Sequence, residues 1–208
     1  MKKREDWLEQ KMLSKTSILD NAITLATDAH EGVERKYTKE PYINHPQRVS
    51  ARVAMVEGAT YEMICAAVLH DTVEDTDLTL DDIEKYCGPV VRRYVDGLTD
   101  KFDPESHPGN RKVRKALEAE RLGKESWEVR VIKLADILDN LVGTDPADPF
   151  SEVFLREKTH LLSLMGKTDE KLLAEVEAAG EKLRVAFDAA AAVKLAAKAA
   201  AKAARDKP

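Results

Sequence analysis

The stretch Ala66–Thr76, AAVLHDTVEDT, closes an apolar helical run, Cys65–Leu69, and leads straight into His70, Asp71, Glu74 and Asp75. Polar and ionisable side chains crowded at the end of a buried run cost folding energy unless something holds them. Residues four apart share one face of a helix. A helix continuing through this stretch therefore stacks His70 with Glu74 and Asp71 with Asp75, gathering an imidazole and three carboxylates within about one turn. Imidazole with carboxylates suits a divalent first-row ion such as Mn, Fe, Co, Ni or Zn. Taken alone, the His-Asp dipeptide also fits a helix end whose acids are merely solvated.

Outward from this stretch the chain reads as helix after helix. Period-two alternation of β-branched residues is nearly absent, whereas helical spacing recurs. Towards the N-terminus, TSILDNAITLATDAH puts Ile18, Ala22, Leu25, Ala26 and Ala29 on one side, with Gly32 as a stop. A polar loop, VERKYTKEPYINHP, precedes a helix expected from about Pro46 through QRVSARVAMVEG, proline being favoured in a first turn. Thr60 opens the central apolar helix. Towards the C-terminus, Thr79 caps LDDIEKYC, Gly88 ends it and Pro89 starts VVRRYVDGLTD. The loop DPESHPGN leads to the charged helix RKVRKALEAERLG, and Ser126 caps WEVRVIKLADILDNLVG, with Val129, Ile132, Leu134 and Leu138 as its apolar set. Two more helices start at Phe150 and about Asp169. The last grades into AAAAVKLAAKAAAKAARDKP, which has high helix propensity and almost no apolar stripe, as expected of a solvated or frayed extension. The organisation expected is one all-α bundle over residues 1–187 with an Ala/Lys-rich tail over 188–208.

Bulk properties narrow the function. The net charge is −5, but from Ala189 onward five Lys/Arg face one acid, a net +4 that leaves −9 on the remainder. So acidic a body is a poor general nucleic-acid binder, and an anionic ligand must meet a local basic cluster or a metal. MKKRED has no apolar segment behind it, so no signal peptide is expected. No window approaches the roughly 18 apolar residues of a membrane span. Cys65 and Cys87 lack a CxxC or disulfide framework and read as core thiols in a reducing cytoplasm. The oligomeric state is left open.

Of five histidines, His30, His107 and His160 fall at a helix end, in a Pro/Gly loop and on a charged helix, where solvated or capping roles suffice. His45 and His70 stand beside apolar helices, and Asp136 interrupts the apolar face of IKLADILDN. The combination H…HD…D resembles the HD-domain superfamily of metal-dependent phosphohydrolases. More specifically, AHEGVERKYTKEPYINHPQRV, AAVLHDTVEDT, DGLTD and IKLADILDN, in that order from Ile18 to Leu141, resemble the hydrolase domain of RelA/SpoT-type proteins and the stand-alone small alarmone hydrolases.

That resemblance implies an all-α HD-domain bundle in which His45, His70, Asp71 and Asp136 hold a divalent metal, usually manganese. It makes Glu74 and Asp75 the pair that orients and activates a water. The implied reaction removes the 3′-diphosphate of guanosine tetra- or pentaphosphate, giving pyrophosphate and GDP or GTP. The chemistry is coherent, since a divalent ion lowers the pKa of bound water and polarises a phosphoryl group, while a nearby carboxylate can accept the proton. Arg35 and Lys36 match the family's RK pair at the nucleotide; a guanidinium can stack on a base and an ammonium answer phosphate charge, though a solvated basic loop fits the residues alone. Asn140, one turn beyond Asp136, matches an Asn that approaches the sugar; by position it also suits a helix C-cap. Tyr42 is expected to pack the loop, and Arg111, Lys112 and Arg114 to form a solvated face with Glu118 and Glu120.

The chain departs from the pattern KLADRLHN followed by a basic residue and Thr. Ile137 and Asp139 replace the Arg and His, and Val142 and Gly143 fall where Arg and Thr would be. A carboxylate beside a polyphosphate is unfavourable unless it points away or binds a cation. The adenosine counterpart or another sugar-phosphorylated nucleotide therefore stands as an alternative substrate, and a non-catalytic nucleotide-binding module as an alternative function.

Overall fold

In the computed structural model, residues 17–104, 107 and 109–205 are described. The start MKKRED, part of the loop DPESHPGN and the last three residues lie outside them. Among the described residues the structure is all-α: α1 (Ile18–Ala29), α2 (Asn44–Val53), α3 (Tyr61–Leu69), α4 (Thr72–Asp75), α5 (Leu80–Cys87), α6 (Pro89–Leu98), α7 (Arg111–Leu122), α8 (Trp127–Gly143), α9 (Phe150–Leu164) and α10 (Glu170–Arg205). Extended pairing is limited to one isolated bridge, Glu34 with Pro41, which pins the loop between α1 and α2.

The expected caps form at Thr60, Thr79 and Ser126, whose hydroxyls each accept the backbone N–H three residues on. Ser17 caps α1 in addition, accepting the N–H of Leu19, and all four satisfy donors that a helix start leaves free. Gly88, at φ 91°, both ends α5 and precedes Pro89 at the start of α6, a reversal that a side chain would strain.

α3 is apolar all round, and Met63, Cys65, Ala66, Ala67, Val68 and Leu69 are all buried. Such a helix belongs at the centre of a bundle, and α3 packs on α1, α2, α6 and α8. Its alanines keep side-chain volume small where neighbours approach. α8 is the second buried axis, with Val131, Ala135, Ile137 and Leu141 inside in addition to the apolar set read from the sequence. Leu69→Ala, at the meeting of these elements, is expected to cost about 2–5 kcal/mol. Cys65 and Cys87 are free and buried, as read.

Three sequence expectations need correction. α2 starts at Asn44, ends at Val53 and does not run on to Gly58; the chain turns there, with Gly58 at φ 82° and Met55 exposed, to bring α3 back alongside. The helix through AAVLHDTVEDT is broken at His70–Asp71. The buried Thr72 hydroxyl takes the carbonyl of Leu69, and α4 is a separate single turn in which Asp75 N–H bonds Asp71 O at 3.0 Å. Glu118 is not part of a solvated face: it is buried, accepting from Arg121 and from the backbone of Lys101 at 3.0 Å.

α10 crosses the expected 187/188 boundary without a break. Its Leu172, Val176 and Leu183 are buried, whereas Val193 and Leu195 are exposed. One polar contact ties the exposed portion back, Lys194 Nζ donating to the carbonyl of Ala147 at 2.5 Å.

Candidate metal centre

α2, the α3–α4 corner and α8 bring His45, His70, Asp71 and Asp136 together, although the sequence spreads them over some ninety positions. His45 is in the first turn of α2, His70 ends α3, Asp71 opens α4 and Asp136 lies on the inward face of α8. His45 Nε2 is 3.4 Å from both Asp71 Oδ2 and Asp136 Oδ1. His70 Nε2 is 3.0 Å from Asp71 Oδ2 and 3.5 Å from Asp136 Oδ1. Ligand atoms of His45, His70 and Asp136 lie within 4.8 Å of one another, with all three residues buried.

The donor chemistry fits a cation. His70 Nδ1 is 2.9 Å from the carbonyl of Ala67, an acceptor only, so Nδ1 carries the proton. His45 Nδ1 is 2.8 Å from Asp139 Oδ2 and donates to it in the same way. The buried Nε2 atoms have no hydrogen-bond partner and face carboxylate oxygens. A divalent cation satisfies all of them at once.

The pKa values report the same field. Burial works to keep both imidazoles neutral, but the carboxylates around them outweigh it, raising His45 to about 9 and His70 to about 10. Burial also opposes the charge on Asp71 and Asp136, yet His70 beside Asp71 and Lys133 beside Asp136 hold both well below the usual carboxylate range. A pocket that draws protons this strongly draws a metal ion in their place.

Glu74 and Asp75 stand one turn beyond His70 and Asp71. Glu74 Oε1 accepts the N–H of Asp100 at 2.6 Å, at the edge of a cavity of about 110 Å³ that also holds Lys115, Lys133 and Lys158. Loss of solvent raises Glu74 to about 7; Lys133 opposes the shift and Asp100 reinforces it. Asp75 is likewise raised by burial and by Asp71, and Tyr42 Oη, 2.7 Å from Asp71 Oδ2 and 3.2 Å from Asp75 Oδ2, links the two carboxylates.

Asn140 continues the network outward. Its Nδ2 donates to Asp136 Oδ1 at 2.5 Å, and its Oδ1 accepts from Arg35 Nη2 at 2.9 Å. α8 runs on to Gly143, so Asn140 is not a C-cap. Arg35, Asn140, Tyr42, Gly143, Phe150 and Phe154 line a cavity of about 240 Å³. A Cβ on Gly143 would sit 3.4 Å from Arg35 Nη2, so glycine leaves room for the guanidinium. Lys36 forms the outer wall: its side chain is 67% exposed and it pairs with Asp148 at 2.8 Å. Arg111 instead binds Glu157 of α9.

The structure adds residues that the sequence reading passed over. Tyr42 does more than pack a loop. Asp139 faces His45 and Arg48 and does not line the cavity. Lys133 Nζ is 2.8 Å from Asp136 Oδ2; its position one turn before Asp136 was the available signal. Phe150 and Phe154 come from a distant helix and left no local trace. His30, read as a solvated or capping residue, is the C-cap of α1 and is buried, with its ring centroid 4.6 Å from that of Tyr42.

Comparison with known proteins agrees with this geometry. The chain is 39% identical over 132 residues to the guanosine-3′,5′-bis(diphosphate) 3′-pyrophosphohydrolase MESH1 of Danio rerio, covering 62% of this chain and 69% of that protein. It is 40% identical over 134 residues to the Homo sapiens protein of the same name, covering 62% and 71%. A solved structure described as a metazoan ortholog of SpoT that hydrolyzes ppGpp superposes with a TM-score of 0.69 at 28% identity, over 81% of this chain and 96% of that one. The model of the HD domain matches residues 22–161 and so takes in the helices that carry all four convergent side chains; the chain belongs to the HD domain family.

Proposed function

We propose that the protein hydrolyses the 3′-diphosphate of guanosine tetra- and pentaphosphate, releasing pyrophosphate and GDP or GTP. The observation that carries this reading is the convergence of the Nε2 atoms of His45 and His70, both without a hydrogen-bond partner, on Asp71 and Asp136, with Asn140 joining Asp136 to an aromatic cavity of about 240 Å³. The similar proteins of Danio rerio and Homo sapiens bear the name guanosine-3′,5′-bis(diphosphate) 3′-pyrophosphohydrolase.

His45, His70, Asp71 and Asp136 are the proposed ligands of a divalent first-row ion, manganese being the one that the family resemblance implies. When bound, the ion lowers the pKa of a water and stabilises charge on a phosphoryl oxygen. Glu74, with a pKa of about 7, is suited to take the proton of that water near neutrality. The water oxygen adds to the phosphorus attached to the 3′ oxygen, the bond to that oxygen breaks, and the proton returns to the alcohol. Asp75, held by Tyr42, orients the water. Arg35 and Asn140 meet the nucleoside, and Phe154 offers a face for the base, while Lys36 at the rim answers phosphate charge.

Asp139 is turned onto His45 and Arg48 and does not line the cavity, so its charge is met by cations and the departure from KLADRLHN is compatible with a polyphosphate substrate. Residues 1–187 are the proposed hydrolase unit and 188–208 a helical extension. The location proposed is the cytoplasm, supported by two free thiols; no described helix is long and apolar enough to cross a membrane.

The test is a panel of guanosine and adenosine nucleotides incubated with purified protein and Mn²⁺, following pyrophosphate against orthophosphate. Pyrophosphate is expected from the guanosine 3′-diphosphates. Orthophosphate alone would remove the assignment, and faster turnover of the adenosine counterpart would reassign the base.

A further inference from the structure

We propose that Asp139, gripped by Arg48 and through it by Glu40, is a positioning residue that sets the ring of His45 and locks it to the loop carrying Arg35. The proposal rests on the reading of His45 as a metal ligand.

Both oxygens of Asp139 are spoken for. Oδ2 accepts His45 Nδ1 at 2.8 Å and Arg48 Nη2 at 3.0 Å, and Oδ1 accepts Arg48 Nε at 2.8 Å. The carboxylate is 3% exposed. Its contact with Nδ1 forces the tautomer in which Nε2 has a free lone pair, fixes the ring plane and makes the imidazole a stronger donor. The planar guanidinium of Arg48 grips a carboxylate on each side, its Nη1 and Nη2 donating to Glu40 at 2.9 and 2.8 Å. Glu40 belongs to the loop pinned by the Glu34–Pro41 bridge, and its carbonyl accepts the N–H of Arg35 at 2.9 Å. Charge-assisted bonds thus run from the imidazole through α8 and α2 to Glu40, and a backbone bond carries the link on to Arg35, which faces the cavity. Arg48 and Asp139 depend on each other: without Arg48 the buried carboxylate keeps only the more distant guanidinium of Arg52, 3.9 Å away, and without Asp139 the fork has lost one of its two ends.

The experiment measures Mn²⁺ binding to the full chain by calorimetry, without nucleotide, alongside thermal melting and steady-state kinetics. Asp139→Asn is expected to weaken Mn²⁺ binding about 10–100-fold, the usual cost of losing such an outer partner. Glu40→Gln is expected to leave Mn²⁺ affinity unchanged and to raise KM for the nucleotide with kcat retained. His45→Gln is the control and is expected to abolish the site. Wild-type affinity in Asp139→Asn, with His45→Gln dead, overturns the positioning role alone. Wild-type affinity in His45→Gln overturns the metal reading beneath it. An unchanged KM in Glu40→Gln removes the link to the loop. Should Asp139→Asn not fold, Arg48→Met must weaken Mn²⁺ binding and Arg48→Lys partly restore it, and failure of either overturns the proposal.

Discussion

The metal centre and the cavity beside it are built differently. The centre draws its side chains from α2, the α3–α4 corner and α8, with His45, His70 and Asp136 buried, and every candidate ligand is held from behind: His45 by Asp139, His70 by Ala67 O, Asp71 by Tyr42 and Asp136 by Lys133 and Asn140. The cavity is assembled from a loop and from the ends of α8 and α9, and its walls are partly in solvent, with Lys36 67% and Phe150 38% exposed. Removing one group from the centre leaves a buried charge or lone pair unmatched, which is costly. A change in the cavity wall costs only the contact. The reaction is therefore fixed by the core, and recognition is left to a surface that can vary.

The comparison breaks first at Asp71. Asp71→Ala is expected to remove metal and activity together, because both imidazoles lose the carboxylate nearest to them. Metal content after dialysis and turnover check this, and an active, metal-loaded variant would dissolve the distinction. Next comes Glu74→Gln, which keeps the shape of the side chain and its bond to the Asp100 N–H but cannot accept a proton. Bound metal is expected to be unchanged and turnover to fall about 10²–10⁴-fold. A full rate would move proton transfer to another group, Asp75 being nearest to hand.

These residues were legible in the sequence because each breaks a local pattern. His70 and Asp71 end an apolar run, Asp136 interrupts a buried face, and Asn140 follows by one turn. What was not legible depends on distance in space. Asp139 read as a misplaced charge because its partners, His45 and Arg48, are more than ninety residues away. Tyr42 lies in a loop whose course is set by the Glu34–Pro41 bridge. Phe154 is an ordinary apolar residue on its own helix. The break at His70–Asp71 was hidden because helix propensity continues through it, while the buried Thr72 hydroxyl overrides that propensity by taking the Leu69 carbonyl. Caps, by contrast, are local chemistry and came out where Thr60, Thr79 and Ser126 predict them.

The cavity side of the comparison sharpens with Phe154→Ala. Stacking of a base on an aromatic ring contributes about 1–3 kcal/mol. With the ring half-buried, KM is expected to rise roughly tenfold, towards the lower part of that range, while kcat and Mn²⁺ affinity stay near wild type. A fall in kcat with KM unchanged would mean that α9 shapes the centre and not the nucleotide's seat.

The smallest effect expected is a shift in pH dependence. Glu74 must be unprotonated to accept a proton, so kcat/KM should fall as pH drops below about 7, the value to which loss of solvent raises it. Asp100 contributes to that rise through its negative charge. Asp100→Asn keeps the backbone N–H that Glu74 accepts and removes the charge. It also frees Lys115, now paired with Asp100, to act on Glu74 as an added positive charge. Both changes favour the ionised carboxylate, so the acid limb should move to lower pH by on the order of half a unit. Lys133 acts with the opposite sign, holding the Glu74 pKa down, and Lys133→Met should move the same limb upward. If both variants shift the limb in one direction, the group titrating there is not Glu74, and the pKa of the reaction belongs to the metal-bound side of the boundary.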